Sequence, residues 1–232
     1  MDLKIKDVAE LLNVSEITIR RWVSGGQIPA YRLNHQYRFS RFEIENWMMG
    51  CKLKRAKDYS ASEGEGAVEG SFVKAGTQQF SLFRALHKGG VLTAVPGKSK
   101  EEIIRSSAKA ISVTLGFDAD LLAELLLDRE NLTSTALNHG IAVPHPREVI
   151  LKGPSDVIVV VFPEEPLDFG AMDGLPVHTL FFLFSTQDKR HLHLLAKIAH
   201  FSSCPEALAL LRSRPTRDQL LTFVKSWESS LS

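Results

Sequence analysis

The chain has 232 residues, of which 44% are hydrophobic and 24% charged, a length and composition suited to one large soluble domain or two smaller ones. No run of about 18 apolar residues is present and the opening MDLKIKDVAELL lacks the unbroken apolar stretch of a secretory signal, so no membrane insertion is expected. The formal net charge of +1 hides an asymmetry, because residues 1–57 carry +5 and the remainder −4, as if only the first part meets a polyanion. Two cysteines, Cys51 and Cys204, lie far apart without the spacing of metal ligands, and read as reduced thiols of a cytoplasmic protein. Neither a metal nor a cofactor is expected.

In chain order, Val8, Ala9, Leu11 and Leu12 follow Lys6 at helical spacing, and Asn13 tolerates the left-handed turn that ends a helix. Ser15 is the predicted N-cap of a second helix, with Val14 and Ile19 placed as a hydrophobic staple. Ile19, Trp22 and Val23 share the inward face; Thr18, Arg20 and Arg21 are left outside; Gly25 and Gly26 stop the helix. After Pro29, the alternation Tyr31-Arg32-Leu33 and Tyr37-Arg38-Phe39 around Asn34-His35-Gln36 predicts a small hairpin, with Arg32 and Arg38 on its polar face. A last helix near Ser40 carries Phe42, Ile44 and Trp47, completing a winged helix-turn-helix over 1–57.

The runs AELLNVS, TIRRW, GGQIPA and YRLNHQYRF resemble the excisionase and MerR-like DNA-binding family. The resemblance implies that the second helix enters the major groove of double-stranded DNA while the wing touches backbone or minor groove. Arg20 and Arg21 can then pair with phosphates or take a guanine edge, Thr18 can meet a thymine methyl, and Arg32 and Arg38 suit phosphates. Lys6 stands where relatives often carry a Ser or Thr cap, so a frayed start to the first helix is expected. A module this small binds weakly alone, which favours a homodimer on paired half-sites.

Residues 58–79, DYSASEGEGAVEGSFVKAGTQQ, break every periodic pattern and read as a flexible linker, spanning roughly 25 Å as a random coil. From residue 80 to 232 the pattern is α/β, with a mixed sheet flanked by helices expected. Ser99 and Glu102 form a capping box ahead of Ile103, Ile104, Ala108, Ile111 and Leu115, and Asp118 caps a helix predicted to bury Leu121, Leu122, Leu125 and Leu126. Val157–Phe162 and Thr179–Ser185 are unbroken apolar runs, as in strands covered on both faces, and helices are predicted near His191–Phe201 and Asp218–Trp227.

Gly140-Ile-Ala-Val-Pro-His-Pro-Arg147 fits none of these elements. A residue before proline is pushed out of the helical region, so Val143 and His145 are both extended and the imidazole stands on a stiff arm, open to a donor. The run Asp128 to Arg147, DRENLTSTALNHGIAVPHPR, resembles the signature of enzyme IIA domains of the mannitol–fructose type in the bacterial sugar phosphotransferase system, which include nitrogen-regulatory IIA proteins. HLHLLAKIAHF, Asp168–Gly174 and the terminal helix extend the likeness.

The resemblance implies that His145 accepts phosphate from an HPr-type phosphocarrier, with Arg129 beside the phosphoryl oxygens and His191 as the second family histidine. His193 points away from His191 on a helix. It and His200 read as ordinary helix residues, His35, His87 and His178 as structural, and His139 has no role. Pro146 replaces the small residue that relatives carry there, deleting an N–H, and Asn138 replaces another. Together the two resemblances imply a phosphocarrier-type domain acting as a phosphorylation-responsive regulator. The alternatives are a transport component passing phosphate to a IIB unit, and a DNA-binding protein with a non-phosphorylated IIA-like sensor.

Overall fold

The computed structural model describes residues 2–12, 14–48 and 80–231; the linker at 58–79, Cys51 and the helix-ending Asn13 lie outside them. Backbone contacts divide the chain between Gln78 and Gln79.

In the first unit, strand β1 (Asp2–Lys4) leads into helix α1 (Ile5–Leu12), helix α2 (Glu16–Ser24), strands β2 (Tyr31–Leu33) and β3 (Gln36–Ser40), and helical backbone over residues 41–48, α3. The frayed start is not found. The helix begins at Ile5, and Asp7 reaches back to accept the Lys4 N–H at 3.0 Å, supplying from the third helical position the cap that Lys6 could not. Ser15 caps α2 as expected, its Oγ accepting the Thr18 N–H at 3.1 Å, and Gly26 at φ 65° follows its end.

The hairpin turns on Asn34 and His35, both at positive φ (48° and 61°), the two-residue connection whose twist matches the strands. Its register pairs Tyr31 with Arg38 and Arg32 with Tyr37. Directly paired residues share a face and successive ones alternate, so Arg32 and Arg38 point to opposite faces rather than to one polar face. The short β1, pairing Leu3 with Phe39, makes the hairpin a three-stranded sheet of order β1-β3-β2. Val8, Leu12, Ile19, Trp22, Ile28, Phe39 and Ile44 are buried between helices and sheet, with the Trp22 and Trp47 rings 5.8 Å apart.

The second unit runs α4 (Ser81–Gly89), β4 (Gly90–Val95), α5 (Lys100–Leu115), α6 (Ala119–Leu132), β5 (Ile141–Ala142), β6 (Val157–Pro163), β7 (Thr179–Phe184), α7 (Asp188–Phe201), α8 (Pro205–Arg212) and α9 (Arg217–Ser230). Its sheet has the order β4-β6-β7-β5; β4 is parallel to β6, β6 antiparallel to β7, and β5 parallel to β7. The two unbroken apolar runs are the central strands, buried along their whole length. Each large apolar side chain taken from water there stabilises by about 1.5–3 kcal/mol.

Alternation divides the strand side chains between two helical layers. Val157, Val159, Val161, Leu180, Phe182 and Phe184 pack with α5 and α6. The opposite face meets α4 and α7, with the Phe181 and Phe201 rings 6.4 Å apart. The Ser99 and Asp118 caps are present at 3.2 and 2.9 Å. Leu121, expected inside, is exposed: α6 buries Leu122, Ala123, Leu126, Leu127, Arg129 and Glu130, a stripe narrower than its run of leucines, and Leu121 falls beside it.

Candidate functional site

Because β5 and β7 are parallel, the chain leaves both at the same end of the sheet, where ligand sites of α/β folds gather. Val143, Pro144 and His145 follow β5; the turn into α7, with His191 in its first helical turns, follows β7. Two backbone bonds fasten the first segment: Val143 N–H donates to Thr135 O at 3.0 Å, and Leu183 N–H to Pro144 O at 3.0 Å.

The imidazole of His145 is held at both nitrogens. Nδ1 lies 2.7 Å from the Val143 carbonyl, which only accepts, so Nδ1 carries the proton and Nε2 the lone pair. Nε2 in turn accepts the Nε–H of Arg129 at 3.1 Å, while Nη1 of that guanidinium donates to Thr133 O at 3.0 Å. The His191 ring stands edge-on to His145, centroids 4.8 Å apart. The structure therefore brings His145, Arg129 and His191 together.

It does not present the imidazole openly. His145 and Arg129 are both 0% exposed and His191 is buried beside them. Backbone bonds to Thr135 and to Leu183 of β7 hold the segment that carries the ring. The surroundings of the ring are nevertheless polar: a guanidinium donates to Nε2 and an imidazole stands beside it, and His145 is not part of the apolar cluster.

Gly140 is demanded by a close approach. Its φ is +77°, and a Cβ there would stand 2.6 Å from His178 Cδ2 and 2.8 Å from Pro176 O. Before it, His139 takes φ 67° and donates its N–H to Asp173 at 2.7 Å. His178 is structural, as read: Nε2 donates to His139 O at 3.2 Å, Nδ1 faces Thr179 Oγ1 at 2.8 Å, and burial pushes its pKa down.

Two residues of this region gave no signal in the sequence. Asp156 is buried and accepts from Thr186 N and Oγ1 at 2.9 and 3.1 Å and from Arg190 Nε at 2.7 Å, fixing the turn that sets His191. His193 is not an ordinary helix residue. It is buried with Nε2 3.0 Å from Ser81 Oγ, and desolvation, followed by the charge of Lys197, pushes its pKa down to about 4. Beyond it, Lys197 forms a buried ion pair with Glu228, which also accepts the Leu82 and Phe83 N–H groups at the start of α4.

On the first unit, Arg20 and Arg21 are exposed on α2, Arg20 3.8 Å from Glu16. Thr18 is only half-exposed, its Oγ1 2.9 Å from Ser15 Oγ in the cap. The freely presented apolar side chain of that helix is Ile17, 78% exposed, a position that helical periodicity does not single out. Arg32 lies over the Tyr37 ring at 5.3 Å, and Arg38 donates to Gln36 Oε1 at 2.8 Å and to Tyr37 O at 3.2 Å.

A mixed sheet between two helical layers, with a His–Arg–His pocket beyond two parallel strands and a separate helix-turn-helix, defines a two-domain protein of enzyme IIA type. Residues 84–227 match the family described as the phosphoenolpyruvate-dependent sugar phosphotransferase system, EIIA 2, and the chain belongs to it; residues 3–52 match a helix-turn-helix domain. The chain is 37% identical over 147 residues to the nitrogen regulatory protein of Pseudomonas aeruginosa, covering 62% of this chain and 94% of that one. It is 38% identical over 87 residues to the transcriptional repressor DcmR of Methylorubrum extorquens, covering 37% and 31%. The crystal structure of nitrogen regulatory protein IIA-Ntr from Neisseria meningitidis matches with a TM-score of 0.51 at 26% identity, over 57% of this chain and 90% of that one. Among the described residues, no single helix is long and apolar enough to cross a membrane.

Proposed function

We propose that this protein is a cytoplasmic, phosphorylation-responsive regulator: a domain over 80–232 accepts a phosphoryl group on His145, and a domain over 1–57, beyond a flexible linker at 58–79, binds double-stranded DNA. The observation that carries the first half is the state of the His145 ring. With the proton held on Nδ1 by Val143 O, the Nε2 lone pair is the nucleophile, and the guanidinium already touches the atom to which phosphorus would bond.

In the transfer, Nε2 attacks phosphorus on a phosphorylated HPr-type carrier as the bond from phosphorus to the carrier's nitrogen breaks, and the proton stays on Nδ1, donated to Val143 O. The Arg129 N–H then turns from Nε2 to an equatorial oxygen, where its planar fork stabilises the spread charge. His191, edge-on to the ring, is placed to donate to another oxygen. No metal is required by this route. The buried ring must be uncovered for the carrier to reach it.

For the second half, the exposed Arg20 and Arg21 of α2 would face the major groove, with Ile17 at its edge. The pairing of Arg20 with Glu16 is exposed and weak, readily exchanged for phosphate. A second copy of the chain on an adjacent half-site would add the affinity that so small a module lacks. The similarity to a protein named a transcriptional repressor is in keeping with this role. A phosphoryl group adds about −1.5 to −2 charges, enough to alter how a basic module meets DNA or a partner.

Incubation with carrier charged from phosphoenolpyruvate should place acid-labile, base-stable phosphate on the wild-type chain and none on His145→Ala. Continued labelling of the variant would refute the assignment. The burial of His145 and the missing N–H at Pro146 favour a second reading, a IIA-like sensor that never takes phosphate; an unlabelled wild-type chain beside a charged carrier would establish it.

A further inference from the structure

We propose that Glu130 is a positioning residue for the His145 site, holding both imidazole nitrogens in register from a distance; this rests on the reading of His145 as phosphoryl acceptor. Glu130 is buried, 3% exposed, one residue after Arg129 on α6. Consecutive helical residues point about 100° apart, so Arg129 reaches the imidazole while Glu130 reaches the segment that follows the helix.

Three donors make four hydrogen bonds to its carboxylate. The Thr135 N–H lies 3.2 and 3.1 Å from the two oxygens, Thr135 Oγ1 donates at 2.5 Å, and Lys100 Nζ from the start of α5 at 2.9 Å. Lys100 is also placed over the Phe169 ring at 5.0 Å, and Ser134 Oγ donates to Phe169 O at 2.7 Å, so Thr133 to Thr135 are fastened on both sides.

That short segment supplies two carbonyls to the site. Thr135 O accepts the Val143 N–H, and Val143 O holds the His145 Nδ1 proton. Thr133 O accepts from Arg129 Nη1, and Arg129 Nε donates to His145 Nε2. The route through Thr135 and Val143 runs by hydrogen bonds of 2.5–3.2 Å throughout; the route through Thr133 passes along the two peptide units between Thr135 and Thr133 and then by the Arg129 bonds at 3.0 and 3.1 Å. A buried carboxylate is costly to desolvate and is kept where several donors need one fixed acceptor. Without it, Thr133 and Thr135 relax, Nδ1 loses its aligned acceptor, and the ring drifts toward the tautomer with Nε2 protonated. That tautomer has no lone pair on the accepting atom.

The test uses the full chain labelled with ¹⁵N-histidine, reading the His145 tautomer from its nitrogen shifts, and the initial rate of phosphate uptake from phosphorylated HPr-type carrier. Glu130→Ala should mix the tautomers and slow uptake by about 10–100-fold, the scale of a small misplacement of reacting groups. Glu130→Gln, which keeps an acceptor oxygen for Thr135, should recover most of both. Thr135→Val, which keeps the backbone bond and removes the hydroxyl, should fall between, and carries the test if Glu130→Ala does not fold. A folded Glu130→Ala or Thr135→Val with wild-type nitrogen shifts, even with slowed uptake, overturns the proposal. A wild-type chain that takes no phosphate while its tautomer still responds to Glu130 would sink the acceptor reading and uphold the positioning role.

Discussion

Arg129 and Arg21 are the same side chain put to opposite uses. The first is wholly buried, with Nε on His145 and Nη1 on Thr133, so its place is set before any partner arrives. The second is exposed on α2, and its neighbour Arg20 has only a loose carboxylate within reach. A preorganised donor in a water-poor site costs little to reorganise when charge develops beside it. An exposed arginine surrenders rotamer freedom on contact and contributes modestly, as one of several, to a salt-dependent total. Substitution in the second unit should therefore be severe and tied to geometry, and in the first graded and tied to charge.

The sharpest way to break this contrast is Arg129→Lys, which keeps the charge and loses the fork. Phosphate uptake should fall by about 10²–10³-fold, measured as initial rate on a chain whose circular dichroism is unchanged; a wild-type rate would mean that charge alone suffices. Next comes His193. Its folded pKa of about 4 lies below the ordinary 6.5, so the folded chain favours the neutral ring. The stability this ring contributes is fully present above pH 6.5 and is lost as pH falls from 6.5 toward 4, by about 2–3 kcal/mol at pH 4.5. Urea unfolding at pH 7 and 4.5 should show that loss, and His193→Gln should shrink it. Gly140→Ala should cost about 2 kcal/mol or more, from the left-handed backbone and the contact with Pro176 O, read as a lowered urea midpoint. The smallest effect belongs to the exposed side: Arg21→Ala should weaken DNA binding by about 1 kcal/mol and reduce the slope of log affinity against log salt by about 1. A larger loss that ignored salt would show that Arg21, too, acts by fixed geometry.

What could be read without coordinates follows the same division. β6 and β7 were legible because strands covered on both faces must be apolar throughout, and the Ser15, Ser99 and Asp118 caps because local hydrogen bonds are written in adjacent residues. Strands β1 and β5, of three and two residues, leave no periodicity and exist through their partners β3 and β7. The grouping of His145, Arg129 and His191 came from a resemblance of motifs; no spacing rule joins residues on α6, beyond β5 and on α7. Nothing in the sequence distinguishes Glu130, Asp156 or His193, because an isolated acid or helix histidine looks like a solvated one until its burial is seen. Alternation alone puts Arg32 and Arg38 on one face, because it does not fix the pairing register, which the turn at Asn34 and His35 sets.

The central claim is chemical: phosphate bonds to Nε2 of His145. On a chain labelled with ¹⁵N-histidine and charged by phosphorylated carrier, nuclear magnetic resonance should show one new phosphorus signal coupled to the Nε2 of one histidine, absent from His145→Ala, with Nδ1 still protonated. Phosphorus on Nδ1, on another histidine, or nowhere while the carrier stays charged would contradict it.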